Sequence, residues 1–318
     1  MIISQTPVRI SFAGGGTDVP AFYNDNGGCV VSTSIDKYIY VIIKKRFDKK
    51  IRIGYSKTEM VDSIDEIQHE LVRECMRMVG IKNGVEISTM ADIPSEGSGL
   101  GSSSAVTVGL LNAMYAYIGI QPDCQTLAEN ACEIEINILK KPIGKQDQYA
   151  AAYGGFNFIY FDKINIFAKR IPYSENLERR LMLFYTGIQK SNSEILERQL
   201  SDIKDNKILL LCMKTSAMNL YENIYHKKLD RIDEYLINQW NWKKQLNNDI
   251  SNPTVENMIS IARSAGATGY KLCGAGGRGF LLISADREKH DAIRKSLSDY
   301  QELPFKFGKF GSRIIFAK

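Results

Sequence analysis

The chain has 318 residues, of which 44% are hydrophobic and 24% are charged, a composition that is ordinary for a globular protein. This length predicts one large domain or two moderate ones, and the composition excludes extensive disorder. The formal net charge of +5 comes from short, scattered basic runs, which predict no nucleic-acid partner, although a mild positive field suits an anionic substrate.

Cysteine and histidine usage predicts neither a zinc site nor a disulfide framework. The six cysteines form no C-x-x-C pair, and none of the three histidines is paired at metal-ligand spacing. The first residues lack a basic region followed by a long apolar run, so no signal peptide is expected. No stretch is apolar enough to predict a membrane span. We therefore expect a cytoplasmic protein with reduced cysteines and no membrane partner.

The first part of the chain predicts an alternation of strands and helices. Apolar residues at helical spacing predict helices over residues 64–79, 102–117 and 124–139, the last ending before Pro142. Runs of β-branched and aromatic residues predict strands over residues 8–12, 29–34, 38–44, 51–55, 84–89, 156–161 and 181–185.

The second part of the chain differs from the first in composition. Residues 192–245 are amphipathic and free of glycine, which predicts two or three helices. Further along, we expect helices over residues 254–264 and 286–298 and strands over residues 269–273, 279–284 and 313–316. The change in composition places a predicted domain boundary near residue 175, giving domains 1–175 and 176–318.

The first glycine-rich loop lies in residues 9–18, with the sequence RISFAGGGTD. Its three consecutive glycines allow the backbone to approach a ligand closely, and the following Asp18 could accept hydrogen bonds from sugar hydroxyls. A tight turn with a solvated aspartate is the alternative interpretation.

The second loop, residues 94–105, has the sequence PSEGSGLGSSSA and lies between a predicted strand and a predicted helix. Unpaired amides and the helix dipole favour phosphate at such a helix start, and a serine hydroxyl there could ligate Mg²⁺. No Gly-Lys-Ser/Thr follows, so it is not a Walker A loop. A flexible loop with an ordinary helix cap is the alternative.

The third loop, residues 271–280, matches the dinucleotide pattern G-x-G-x-x-G at Gly274, Gly276 and Gly279. Its context rejects that pattern, because a strand rather than a helix follows. We expect a glycine-rich hairpin against the active site, or else a plain β-turn.

A fourth group contains carboxylates. Glu133 and Glu135 lie on the predicted helix 124–139, and Asp147 follows a turn over residues 142–148. Glu135 and Asp147 could face one cleft, and a carboxylate pair near a phosphate loop suggests one metal ligand and one base.

Taken together, these motifs resemble the GHMP kinase superfamily, whose three signature motifs the three glycine loops match in order. Residues 9–18, 144–149 and 185–196 are most similar to its D-glycero-D-manno-heptose 7-phosphate kinase branch. The resemblance implies a two-domain α+β fold, with a ribosomal protein S5 domain 2-like first half and a ferredoxin-like second half. ATP would bind in the cleft between them.

The resemblance also implies a role for individual residues. Asp147 would be the catalytic base with Arg9 as its charged neighbour, and Ser103 and Glu135 would hold Mg²⁺. ATP would contact Pro94, Gly97, Ser98, Gly99, Leu100, Gly101, Ser102, Ser103 and Ser104. The sugar would contact Gly15, Gly16, Thr17, Asp18, Lys145 and Gly276.

Two residues depart from the pattern of the family. Arg278 replaces an expected glycine, and it could contact a phosphate or point to solvent. Lys190 stands where arginine is expected, and a lysine offers a point charge instead of a fork for a substrate phosphate. Lys145, Lys190 and Arg278 are the candidates for binding that phosphate.

The leading hypothesis is therefore an ATP-dependent kinase that phosphorylates the anomeric hydroxyl of D-glycero-D-manno-heptose 7-phosphate, acting as a monomer or homodimer. A kinase of an unphosphorylated, fucose- or galactose-like sugar is the alternative within the class. A non-catalytic sugar or nucleotide sensor is the alternative from another class, and the intact set of Ser103, Glu135 and Asp147 argues against it.

Overall fold

The computed structural model describes residues 1–94, 97–188, 197–198, 202–228 and 231–318. Its strands are β1 (Ile2–Ala13), β2 (Gly28–Lys45), β3 (Ile51–Gly54), β4 (Thr58–Val61), β5 (Val85–Ala91), β6 (Phe156–Phe161), β7 (Ile166–Arg170), β8 (Leu181–Tyr185), β9 (Gly269–Leu272), β10 (Phe280–Ser284) and β11 (Arg313–Ala317).

The helices are α1 (Pro20–Asn26), α2 (Glu70–Val79), α3 (Ser102–Tyr117), α4 (Cys124–Cys132), α5 (Gln146–Tyr153), α6 (Glu175–Arg179), α7 (Lys207–Tyr225), α8 (Asp233–Leu246), α9 (Pro253–Ser264) and α10 (His290–Ser296). Short 3₁₀ turns occur at Ile64–Glu66, Asn248–Ile250 and Arg287–Lys289, and a π-helical turn occurs at Glu133–Ile138.

The larger sheet has eight strands in the described part of the chain, in the order β11-β1-β2-β5-β3-β4, with β6 and then β7 joined to the first part of β2. Its pairs are antiparallel except for β3 and β5, which run parallel. The last eight residues of β1 are all buried. A strand covered on both faces needs packing partners on each side, and α3, α5, α7 and α8 all contact β1.

The smaller sheet is antiparallel, in the order β8-β10-β9. A second hydrophobic core lies beside it, centred on the fully buried Trp240 of α8 together with side chains from α9, α10 and the strands themselves. The molecule thus has an α+β architecture with two sheets, as the sequence predicts.

Several elements differ from the sequence predictions. Residues 146–148 begin helix α5 instead of completing a turn, and the predicted helix 124–139 is α-helical only to Cys132. Helix α1 was not predicted, since its seven residues are too few to show a periodic pattern. The first part of the predicted helical stretch 192–245 lies largely outside the described residues.

The final strand crosses the predicted domain boundary. Although β11 follows the second sheet in sequence, it pairs with β1 of the first sheet, with Ile2 opposite Ala317. The division into domains 1–175 and 176–318 therefore remains a prediction to which β11 is an exception. None of the helices in the described ranges has the length and apolar character needed to cross a membrane.

Gln239 of α8 links the second half of the chain to the first glycine loop. Its side chain is fully buried; Oε1 accepts from the Gly14 amide at 3.1 Å, and Nε2 donates to the Met213 carbonyl at 3.1 Å. A buried polar group stabilises a fold only while its partners are present. This amide therefore fixes the position of the glycine loop relative to α7 and α8.

We expect Gln239→Ala to lower the free energy of unfolding by about 2–4 kcal/mol, because it removes the acceptor of the Gly14 amide and opens a cavity. Gln245→Ala on the same helix is the matched control, since Gln245 is exposed and donates only to Asn241 within the helix. Denaturant unfolding measures both variants. Equal stabilities would show that Gln239 does not join the two parts.

Candidate active site

The three glycine loops predicted from the sequence meet in a single cleft with a cavity of about 270 Å³. The first loop contributes Gly15, Gly16 and Asp18 to its wall. Residues of the other loops and of the second half complete it: Gly97, Ser98, Gly99, Gly101, Ser102, Ser103, Gly274, Ala275 and Arg278, with an apolar wall of Ile203, Leu210, Met213 and Leu246.

The second loop leads directly into α3. Gly101 is the N-cap of this helix, in the left-handed conformation with φ +76°, and has no side chain that could cap the first turn. Gly101 thus provides no side-chain cap, and a helix start of this kind offers backbone amides and the positive end of the helix dipole, the arrangement that binds phosphate. Ser98 Oγ lies 3.1 Å from Ser102 Oγ and accepts from the Leu100 amide at 3.2 Å, which holds the loop in shape.

The second and third loops touch backbone to backbone. A Cβ on Gly99 would lie 2.5 Å from the Cys273 carbonyl oxygen, and one on Gly274 would lie 2.4 Å from Gly99 Cα. No side chain larger than hydrogen fits at either position. The third loop is thus a hairpin that packs against the second loop and supports it from the side of the second half.

Arg9 and Asp147 form the central ion pair of the cleft. Arg9 Nε and Nη2 each donate to a carboxylate oxygen of Asp147 at 2.8 Å, and Nη1 donates to the Gly99 carbonyl at 2.6 Å. The Arg9 amide also donates to the Leu100 carbonyl at 2.9 Å. Arg9 is almost fully buried, whereas the Asp147 side chain is 23% exposed and faces the cavity. A permanent cation therefore joins the candidate base to the phosphate loop.

Asp18 lies on the other side of Asp147. Its carboxylate accepts from the Gly16 amide at 2.9 Å and from the Gln146 amide at 3.0 Å. Burial, and to a lesser extent the charge of Asp147, raises the pKa of Asp18, while these amide hydrogen bonds oppose the shift. Thr17 does not line the cavity; its hydroxyl donates to the Gly14 carbonyl at 2.8 Å and supports the loop from inside.

Glu135 is fully buried in the π-helical turn, behind the first turn of α3. Its carboxylate accepts from Ser103 Oγ at 3.3 Å and from Gln148 Nε2 at 2.5 Å. Burial raises the pKa of Glu135, and hydrogen bonds from Ser104 and Gln148 act against this. A carboxylate and a serine hydroxyl in contact form an oxygen donor set suited to Mg²⁺. Ser103 is exposed and lines the cavity, so such an ion would be reached through it.

Six predicted contact residues do not line the cavity. The Lys145 ammonium lies over the Tyr23 ring at 5.7 Å, and its expected contact with the sugar stays a prediction. Gly276 is buried against Ile250, where a Cβ would lie 2.8 Å from its side chain, and its expected contact with the sugar likewise stays a prediction. Thr17, Leu100 and Ser104 are buried supports, and Pro94 lies off the cavity wall.

The candidates for binding a substrate phosphate have different outcomes. The Arg278 guanidinium lines the cavity and lies 2.6 Å from the position of a Cβ on Gly97, directly beside the phosphate loop. This favours a phosphate contact over solvent for Arg278. Lys190 lies outside the residues that the structure describes.

Two lysines in the cavity wall were not predicted as site residues. Lys243 Nζ donates to the Gly274 carbonyl, and Lys271 Nζ donates to the Ser11 carbonyl at 2.6 Å. Both are nearly fully buried. Leu236, Trp240 and Lys243 are buried at helical spacing along α8. This spacing could have identified Lys243, because a lysine on the apolar face of a helix is rarely buried unless it has a partner.

Burial and nearby positive charge shift the pKa values of both lysines. Burial, with the charges of Lys271 and Arg9, lowers the pKa of Lys243 to about 7. Burial, with Arg9, lowers the pKa of Lys271 to about 8. Two further polar atoms face the same region: Ser11 Oγ and Gln146 Oε1 are buried without a hydrogen-bond partner among the described residues. The cleft therefore holds polar groups to which the described part of the chain offers no hydrogen-bond partner.

We expect Gly99→Ala to weaken nucleotide binding by tenfold or more and to lower the free energy of unfolding by more than 2 kcal/mol. The new Cβ would clash with the Cys273 carbonyl, and Gly99 has a left-handed φ of +70°. An alanine in the left-handed conformation alone costs about 1–2 kcal/mol. Gly80→Ala is the matched control, with φ +81° and nothing within 4 Å of the Cβ. Calorimetric titration with ATP and denaturant unfolding measure both. Similar losses in the two variants would contradict the close approach of the loops.

Comparison with known proteins places this geometry in a family. The GHMP kinases N terminal domain family matches residues 67–155, and the GHMP kinases C terminal family matches residues 220–302. The chain is 30% identical to D-glycero-alpha-D-manno-heptose 7-phosphate kinase of Campylobacter jejuni, over 96% of both chains.

A second relative, L-fucokinase/L-fucose-1-P guanylyltransferase of Bacteroides fragilis, is 26% identical over 94% of this chain but only 36% of its own longer chain. The crystal structure of a D-glycero-D-manno-heptose 1-phosphate kinase from Bacteroides thetaiotaomicron superposes on this chain with a TM-score of 0.75 and 23% sequence identity, and the superposition covers 100% of both chains. This likeness concerns the fold. The predicted two-domain GHMP kinase fold and the predicted class of enzyme are confirmed. The chain belongs to the GHMP kinase family and is a sugar kinase, a phosphotransferase.

Proposed function

We propose that the protein transfers the γ-phosphate of ATP to the anomeric hydroxyl of D-glycero-D-manno-heptose 7-phosphate and releases the 1,7-bisphosphate. The product would supply nucleotide-activated heptose for surface polysaccharide. We infer that it acts in the cytoplasm as a monomer or homodimer. The single observation that carries the proposal is the Arg9–Asp147 pair, fixed against the phosphate loop by the hydrogen bond from Arg9 to Gly99.

The nucleotide phosphates would lie on the loop of residues 97–101 and the first turn of α3. The uncapped helix start offers amides and a positive dipole end, and the Arg278 guanidinium beside Gly97 adds a cation. Ser103 and Glu135 would hold Mg²⁺, whose chemistry when bound is to neutralise phosphate charge. The contact between these two side chains supports this assignment.

Asp147 would accept the proton of the attacking hydroxyl. Phosphoryl transfer needs mainly positioning and charge neutralisation, so a carboxylate is a sufficient base. Arg9 cannot lose its charge, and its two-point contact holds both oxygens of Asp147 in place. The same guanidinium would stabilise negative charge that develops on the acceptor oxygen.

Asp18, Gly15 and Gly16 would bind the sugar. Asp18 lies beside Asp147, and a hydroxyl held there would bring its neighbour on the ring close to the base. The buried Ser11 Oγ and Gln146 Oε1 offer further hydrogen bonds in the same wall. A polyol suits such a wall because hydroxyls both donate and accept.

The choice of heptose 7-phosphate rests on the 30% identity, over nearly the whole chain, to the kinase of that sugar. The fucokinase relative favours a second candidate, the 1-phosphorylation of an unphosphorylated sugar such as fucose. The two candidate functions differ in whether the acceptor sugar itself carries a phosphate, so kinetics with each sugar can distinguish them.

We expect Asp147→Asn to lower kcat by about 10²–10⁴-fold, the usual contribution of a positioned base, with ATP affinity changed less than threefold. Asp25→Asn, an exposed aspartate on α1, is the control and should keep the kcat of the wild type. ADP release gives kcat, and calorimetric titration gives ATP affinity. A variant with near-normal kcat would remove Asp147 from the role of base.

A substrate panel tests the identity of the sugar. We expect kcat/KM for D-glycero-D-manno-heptose 7-phosphate to exceed that for the unphosphorylated heptose, L-fucose and D-galactose by at least about tenfold, since one charge-assisted contact to phosphate is worth roughly 1.5–3 kcal/mol. Phosphate position in the product, read by ³¹P NMR, should be the anomeric carbon. Higher kcat/KM on a free sugar would favour the second candidate.

A further inference from the structure

We propose that Lys243 and Lys271 form a phosphate-binding pair, distinct from the helix start of α3, which takes a phosphate group of the bound reactants. The phosphate would be either the γ-phosphate of ATP or the phosphate ester that the sugar carries. The inference deepens the proposed function and rests on it for the second source only.

The two lysines extend from separate elements into one cavity. Lys243 lies on α8 and bonds to the third loop at Gly274, whereas Lys271 lies on β9 and bonds to the end of β1 at Ser11. Gly274 touches the second loop at Gly99, and Ser11 belongs to the first glycine loop, just before its three glycines. The pair therefore lies between the loop assigned to ATP and the loop assigned to the sugar, where a phosphate of either reactant can reach it.

Among the residues that the structure describes, the charges around the pair are unbalanced. Lys243 faces Lys271, Arg9, Cys273 and Asp18, and Lys271 faces Cys273 and Arg9. Arg9 is already paired with Asp147, and burial raises the pKa values of both Asp18 and the Cys273 thiol, which disfavours their anionic forms. Burying ammonium groups without close anions is costly. A structural role would be served at less cost by an apolar side chain, so the arrangement points to an anion that arrives with the ligand.

Each lysine uses one hydrogen-bond donor on a backbone carbonyl and keeps others for a ligand. An ammonium group has three donors, and a carbonyl contact fixes its position without neutralising its charge. The carbonyl partners thus aim both groups at the cavity they line. Lysine is a suitable residue for phosphate, as a compact charge on a held stem.

This arrangement predicts a pH dependence with a definite sign. The pKa of Lys243 in the ligand-free protein is about 7, so most molecules carry it neutral at pH 8. A bound phosphate dianion favours the charged form and raises the pKa, so binding takes up a proton. Affinity for the phosphate-bearing ligand should fall as pH rises from 7 to 9. Phosphate monoesters are already largely dianionic above pH 7, so the ligand itself contributes little to this limb.

The experiment measures proton uptake on binding by calorimetry at pH 8 in two buffers of different ionisation enthalpy. AMPPNP is compared with ADP, both with Mg²⁺, and D-glycero-D-manno-heptose 7-phosphate is compared with the unphosphorylated heptose. Uptake with AMPPNP but not ADP assigns the pair to the γ-phosphate. Uptake with the heptose phosphate but not the heptose assigns it to the sugar phosphate. The nucleotide comparison stays informative even if the substrate is another sugar.

Three variants separate binding from structure. Lys243→Met should reduce the uptake to the part that Lys271, with a pKa of about 8, contributes, and should weaken the ligand that shows the uptake by about tenfold to a hundredfold. Its melting temperature should not fall, because a buried charge is removed. Lys243→Arg should keep its charge and reduce the fall in affinity between pH 7 and pH 9 to the part that Lys271 contributes. Lys244→Met is the control, since Lys244 lies on the outer side of α8 in an ion pair with Glu256 at 3.1 Å.

The proposal is overturned if neither ligand comparison shows a difference in proton uptake, or if Lys243→Met binds all four ligands within twofold of the wild type. If Lys243→Met fails to fold, Lys271→Met tests the phosphate-binding pair independently. It is expected to weaken the same ligand as Lys243→Met. Weakening of a different ligand would mean that the two lysines do not act on one phosphate.

Discussion

The site depends on one ion pair between groups 138 positions apart in the chain. Arg9 comes from β1 of the larger sheet and Asp147 from the first turn of α5, and two parallel hydrogen bonds of 2.8 Å join them. The third guanidinium donor reaches the phosphate loop at Gly99. One side chain thereby sets the distance between the loop that would hold the donor and the carboxylate that would take the proton. Because a guanidinium is planar and rigid, this distance is fixed by covalent geometry and not by packing alone.

Around this pair the three glycine loops approach each other with backbone against backbone. The closeness of Gly99 to Gly274 explains why sequence patterns that look like separate turns belong to one cavity. The second half of the chain adds Lys243 and Lys271, cations on stems long enough to reach between the loops. Sugar kinases must hold two anionic or polar reactants in contact while excluding water, and the combination of small loops and long lysines would do this with few side chains.

Sequence reasoning was most successful for elements whose conformation depends on residues that are neighbours in the chain. The serine cluster followed by small and apolar residues predicted α3 with the observed bounds, Ser102–Tyr117, and runs of β-branched and aromatic residues predicted most of the strands. It could not give what tertiary contacts decide. The return of β11 to β1 depends on pairing across the whole chain. The roles given to Arg9, Asp147 and the phosphate loop remain predictions, which the geometry supports but which only kinetics can test. Lys243 stands beside Lys244 in a polar stretch, and only the helical period distinguishes the buried lysine from the solvated one.

The π-helical turn at Glu133–Ile138 bears on how this site tolerates change in chain length. The amide of Leu139 bonds to the carbonyl of Ile134, five residues back, so the turn holds one residue more than an α-helix would. Loss of Glu133 or Ile134 would move Glu135 one position back along the helix and turn its side chain by about 100° relative to α4. Glu135 would then leave its contact with Ser103 although no site residue had been replaced. The length of this short segment is therefore as much a part of the site as the identity of its side chains, and deletions within it belong with active-site changes when natural variants of the chain are interpreted.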